Sequence, residues 1–92
     1  MSDIKVEVLL FAQLRELAGV KQKTYYLPAG TLFHVLLDRM TSDFGTALRT
    51  EVDSLEGLRI VFPDRECSLE EAMTVPLADN ITIVFLPPIA GG

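Results

Sequence analysis

Residues 3–11 alternate in polarity, with Val6, Val8 and Leu10 on one face and Lys5, Glu7, Leu9 and Phe11 on the other. This is the pattern of a strand whose first face lies on a core, although the second face also turns apolar at its end. Residues 12–18 (AQLRELA) are good helix formers with Leu14 and Leu17 three apart, and Gly19 is placed to end a short helix. KTYYL (23–27) reads as a second strand that returns antiparallel to the first and is closed by Pro28-Ala29-Gly30. Thr31 is the expected N-cap of the main helix, residues 32–43, whose Leu32, Val35, Leu36 and Met40 form an apolar stripe. Phe33 and Leu37 lie beside that stripe and widen the core face.

Residues 44–57 are less regular; Ala47 to Val52 suits another short helix, and Gly57 closes the segment before a strand at 58–62 (LRIVF). Pro63-Asp64-Arg65 breaks that strand as a turn, and residues 66–69 return as a short edge strand. A further turn, Leu77-Ala78-Asp79-Asn80, precedes a β-branched apolar run from Ile81 to Leu86. One main helix after a hairpin, packed across a mixed sheet of four to five strands, is an α+β arrangement.

Ninety-two residues make one domain, and 49% hydrophobic residues without low-complexity runs make it globular rather than disordered. The net charge of −5 argues against nucleic acid, which requires clustered Lys and Arg, and favours a positively charged enzyme cleft as partner. No apolar stretch approaches a membrane span and no basic leader precedes the first strand, so no membrane partner is expected. The single Cys67 has no internal disulfide partner, and a reducing cytoplasm is the expected location.

Catalytic and metal chemistry find little support, for there is one His, one Cys, no Gly-rich phosphate loop and no metal-ligand spacing. His34 reads as a packing or solvent-edge side chain. Cys67 has only Arg65 as a basic neighbour in the sequence to lower its thiol pKa and reads as a bystander. Glu70, Glu71 and Asp3 read as solvated surface. The expectation is no catalytic residue, no metal and no bound cofactor.

The function is expected at the C-terminal end instead. Residues 1–86 form the domain and residues 87–92 a tail: Pro87 and Pro88 cannot donate to a sheet ladder, and they stiffen the exit. Beyond them come Ile89 and Ala90, and then Gly91 and Gly92, which carry no side chain at all. At about 3.3 Å per residue, Pro87 to Gly92 spans roughly 20 Å, enough to thread a terminal carboxylate into another protein's active site.

The ending LADNITIVFLPPIAGG, with its aromatic-x-Pro-Pro-x-x-Gly-Gly order, resembles the C-terminus of the ubiquitin-like sulfur carriers, above all the small subunits of molybdopterin synthase. IKVEVLLFAQLRELAG is similar to that family's first strand and following Ala-x-x-Arg-Glu segment. The resemblance covers nearly the whole chain and is weakest between Asp43 and Arg65. It implies the β-grasp, or ubiquitin-like, fold, with first and last strands parallel and adjacent in the centre of the sheet. That pairing would gather Leu9, Phe11, Val84 and Leu86 into one apolar patch opposite Val8, Leu10, Ile83 and Phe85, suited to partner docking.

The resemblance also implies the chemistry. A carboxylate is a poor electrophile, so Gly92 is adenylated by a ubiquitin-activating-type enzyme that uses ATP, then converted to a thiocarboxylate. Glycines at 91 and 92 let the backbone pass a narrow channel. The chain is thereby expected to be a non-catalytic carrier that donates sulfur in molybdopterin biosynthesis beside the synthase's large subunit. A protein modifier forming isopeptide bonds through Gly92, or a carrier for thiamine or tRNA thiolation, would use the same activated carboxyl.

Overall fold

The computed structural model describes residues 3–88. Strand β1 (Asp3–Leu10) buries Ile4, Val6, Val8 and Leu10 on one side, and β2 (Gln22–Pro28) pairs antiparallel with it, Val6 opposite Tyr25 and Ile4 opposite Leu27. The expected first strand ran to Phe11, but the ladder stops at Leu10 because the chain turns sharply there: Phe11 is extended and Ala12 takes φ 52°. Helix α1 (Ala12–Ala18) ends at Gly19, whose φ of 77° is left-handed and whose N–H donates to Arg15 O at 2.9 Å. Only Leu14 of α1 is buried; Leu17 faces solvent, so the two do not share a core face as their spacing implied.

Helix α2 (Phe33–Phe44) begins one residue later than the sequence implies, and Thr31 is not its cap. The Thr31 hydroxyl instead donates to Pro28 O at 2.6 Å. The helix start is satisfied from a distant segment, with the N–H groups of Phe33 and His34 donating to Val75 O (2.9 Å) and Met73 O (3.1 Å). This changes the buried stripe to Phe33, Leu36, Leu37 and Met40, spaced i, i+3, i+4, i+7. Leu32 is half-buried and Val35 exposed. Phe33 lies at the centre of the core, stacked on Phe85 at 5.6 Å between centroids and edge-on to Phe62 at 6.0 Å.

Residues 46–54 form α3 (Thr46–Ser54), which buries Leu48 and Val52. Strand β3 (Arg59–Phe62) and the edge strand β4 (Arg65–Ser68) join through the two-residue turn Pro63-Asp64, and Cys67 is buried opposite Ile60. A further helical turn, α4 (Leu69–Ala72), is absent from the expected elements. Its signature is legible in Ser68-Leu69-Glu70-Glu71: Glu71 N–H donates to Ser68 Oγ at 3.2 Å and Ser68 N–H to Glu71 Oε1 at 2.9 Å, a reciprocal capping box. The bond from the Ser68 backbone holds the Glu71 carboxyl below its ordinary pKa.

The last strand, β5 (Ile81–Leu86), is locked in register before it starts, since Lys5 N–H donates to Asp79 Oδ1 (2.8 Å) and Asn80 N–H to Lys5 O (2.7 Å), with Asn80 at φ 60°. It runs parallel to β1, Val6 opposite Ile81 through Leu10 opposite Phe85, and antiparallel to β3. The sheet order β2-β1-β5-β3-β4 is the mixed α+β sheet expected, with β5 in the middle and β1 beside it.

Candidate functional site

Parallel pairing sets Leu9 directly opposite Val84, and Val84 opposite Val61 on the other side. Because side chains alternate across a strand, these three form a row on the sheet face away from the helices. Leu9, Val61 and Val84 are half-buried there, and Phe11 and Leu86 at the carboxyl end of the same face stay 43% and 44% exposed. The four residues expected to make the patch are thus brought together. Val61 and Arg59 were missed: the alternation of LRIVF sets both opposite Ile60 and Phe62, but only the β3–β5 pairing brings Arg59 beside Leu86. Arg59 Nε donates to Glu66 Oε2 at 2.8 Å, so the margin of the apolar row carries a solvent-exposed ion pair of small energetic weight.

The chain does not leave the body at Leu86. Pro87 is buried, and Pro88 lies against the Gly57 turn: a Cβ built on Gly57 would stand 3.6 Å from Pro88 Cβ. The sheet register explains both contacts. Arg59 is opposite Leu86, so two further antiparallel steps set Leu58 opposite Pro87 and Gly57 opposite Pro88, although proline's missing N–H ends the ladder itself. The remaining tail residues, Ile89, Ala90, Gly91 and Gly92, lie outside the described residues.

Other candidate chemistry is scattered. His34 is exposed in the first turn of α2, Cys67 is buried in β4, and no three His, Cys, Asp or Glu side chains converge as a metal site among the described residues. Among the described residues Tyr25 is the perturbed core group. Burial first, and the Asp43 carboxylate second, raise its hydroxyl well above the ordinary phenol pKa, and its buried Oη has no hydrogen-bond partner among the described residues. It belongs to the covered face of β2, away from the apolar row, and is a packing group. No described helix is long and apolar enough to cross a membrane.

No protein-family model matches the chain. It is 33% identical to the molybdopterin synthase sulfur carrier subunit of Arabidopsis thaliana, over 99% of this chain and 86% of that protein. Among solved structures it is similar to SAMP1 from Haloferax volcanii, with a TM-score of 0.78, 22% identity and coverage of 96% of this chain and 99% of that one. Urm1 from Trypanosoma brucei superposes with a TM-score of 0.63 at 21% identity, each chain covered completely. At such identities these two likenesses establish the fold. Identity along nearly its whole length places the chain in the family of the molybdopterin synthase sulfur carrier subunits, built on the ubiquitin-like β-grasp fold.

Proposed function

We propose that this chain is a sulfur carrier of molybdopterin biosynthesis, the small, non-catalytic partner of a molybdopterin synthase large subunit. The observation that carries the reading is the 33% identity to a sulfur carrier subunit over 99% of the chain. In the proposed cycle an adenylating enzyme joins the Gly92 carboxylate to AMP from ATP, releasing pyrophosphate. A sulfide-level sulfur nucleophile then attacks the carbonyl and expels AMP, leaving a thiocarboxylate. Neither nucleic acid nor membrane takes part, and the work is done in the cytoplasm. ATP is bound by the activating enzyme, and this chain supplies no catalytic side chain.

The geometry sharpens how such a tail would be used. With Pro87 buried and Pro88 held against Gly57, four residues remain to reach a partner, about 13 Å at 3.3 Å each instead of the roughly 20 Å of six. Ordering four residues costs about 4–8 kcal/mol, against 6–12 for six. Burying Phe11 and Leu86 in a partner returns about 1.5–3 kcal/mol each, and the row of Leu9, Val84 and Val61 contributes the rest. Docking through this face brings the partner's cleft close to the root of the tail.

Intact mass after incubation with the cognate adenylating enzyme, ATP and a sulfur donor tests the reading. Exchange of one oxygen for sulfur at the C-terminus is the expected result. Adducts on lysines of other proteins, without sulfur loading, would make the chain a modifier instead. A chain shortened by Gly91 and Gly92 that is still loaded at the normal rate would exclude the carboxyl of Gly92 as the reacting group.

A further inference from the structure

Resting on that reading, we propose that Gly57 is a positioning residue, which fixes the direction in which the tail leaves the body and so aligns the reacting carboxyl in the activating enzyme. The residue lies 35 positions before Gly92 and belongs to the turn between α3 and β3. Leu58 N–H donates to Leu55 O at 3.4 Å across that turn, and Gly57 sits at its third position with φ 82°. A bond from the fourth residue to the first with positive φ at the third fits a type II turn, where glycine is favoured because it has no Cβ to clash. Both flanks are anchored, Leu58 within the core and Leu55 packed against it.

The same register that pairs β3 with β5 carries this turn alongside the prolines. Pro87 takes the core-facing position beside Leu58, and Pro88 takes the outer position beside Gly57. A Cβ at Gly57 would lie 3.6 and 3.7 Å from Pro88 Cβ and Cγ, so the proline ring occupies the space immediately over a residue that has no side chain. Two rigid pieces therefore meet at the last described residue of the chain: a turn that needs positive φ and a ring whose own φ is fixed. Their contact continues the outer face past Leu86 and Arg59.

An L side chain at 57 is strained by its φ even though the space for a methyl exists, and the turn relieves that strain by rotating, which withdraws the support beneath Pro88. Docking of the body through Phe11 and Leu86 would be preserved while the tail enters at a different angle. Misalignment of that kind reduces the rate of the bound complex far more than its formation.

The experiment is a double-mutant cycle of Gly57→Ala and Pro88→Gly on the full chain, read by ATP-pyrophosphate exchange with the adenylating enzyme and by thermal melting. Each single variant is expected to remain folded and to lower kcat by about tenfold or more, with KM for the carrier held within about twofold. The double variant should be no slower than the worse single one, because both changes remove one contact. Additive losses, or unchanged kcat in both folded single variants, would overturn the assignment. If the unaltered chain is not activated at all, the sulfur-carrier reading is the one that fails. Positioning is then judged by nuclear Overhauser contacts between the protons of residue 57 and the Pro88 ring: their presence in the unaltered chain and the loss of all of them, methyl included, in Gly57→Ala supports it, and their absence from the unaltered chain or persistence to the methyl in the variant refutes it.

Discussion

Toward their carboxyl ends the two faces of the central strands are both apolar in sequence and opposite in use. On the covered face Val6, Val8, Leu10, Ile83 and Phe85 are essentially inaccessible, and Phe33 fills the space between Phe85 and Phe62. On the outer face Leu9, Val84 and Val61 stay half-buried, with Phe11 and Leu86 more exposed. The difference is the helices: every strand brings two faces to the sheet, and the apolar stripe of α2 covers one. An apolar face left uncovered in a small domain is the signal of an interface.

The strongest test of the comparison is to cut into the covered face. Phe33→Ala is expected to cost about 3–5 kcal/mol, because it removes both aromatic contacts and leaves a cavity. For a domain of this size that corresponds to a fall in melting temperature of well over 10 °C. A loss below about 1 kcal/mol in calorimetry would mean that the helix does not pack on β5 as described.

The matching change on the outer face should leave folding nearly intact. Phe11→Lys and Leu86→Lys are expected to shift stability by less than about 0.5 kcal/mol, since both sites are solvated in the free chain. Binding to the adenylating enzyme and the synthase large subunit should fall at least about tenfold, because the new charge must be desolvated in the complex. Calorimetric melting and a binding isotherm on the same variants separate the two faces. Collapse of the fold would assign these residues to the core, and intact binding would move the interface elsewhere.

The smallest effect comes from a flaw within the covered face. Tyr25 Oη is buried without a partner, so Tyr25→Phe is expected to raise stability by about 1 kcal/mol in urea unfolding. The sign of its pH dependence follows from its raised pKa. The unfolded phenol releases its proton near pH 10 while the folded one keeps it, so this group leaves stability unchanged with pH below pH 10 and lowers it as pH rises above that. Tyr25→Phe should therefore flatten part of the alkaline loss of stability. A destabilised variant would show that the hydroxyl has a partner after all, and an unchanged alkaline slope would show that its pKa is not raised by the fold.

Local chemistry was read correctly at several turns and along the two central strands. Gly19 ends α1, Pro63-Asp64 turns the chain, Asn80 adopts positive φ, and the alternation of β1 and β5 assigns each residue to its face. The same reading missed α4, although Ser68 and Glu71 carry its cap, because a single turn between two strands has no periodicity to announce it.

What tertiary structure alone decided are the relations between segments distant in the chain. Thr31 has the right chemistry for a cap, yet α2 takes its first hydrogen bonds from Met73 and Val75, and the stripe rotates to bury Phe33 and Leu37 in place of Val35. Local propensity is worth tenths of a kcal/mol per residue, whereas burying Phe33 against Phe85 is worth several times more, so packing chooses the helix face. The outer row is governed by the same principle. Alternation alone determined that Leu9, Phe11, Val84 and Leu86 point away from the core, but it cannot say which strands are neighbours. Pairing of β5 with both β1 and β3 brought in Val61 and Arg59 and carried Gly57 beneath Pro88, because backbone hydrogen bonds join strands regardless of their separation in sequence.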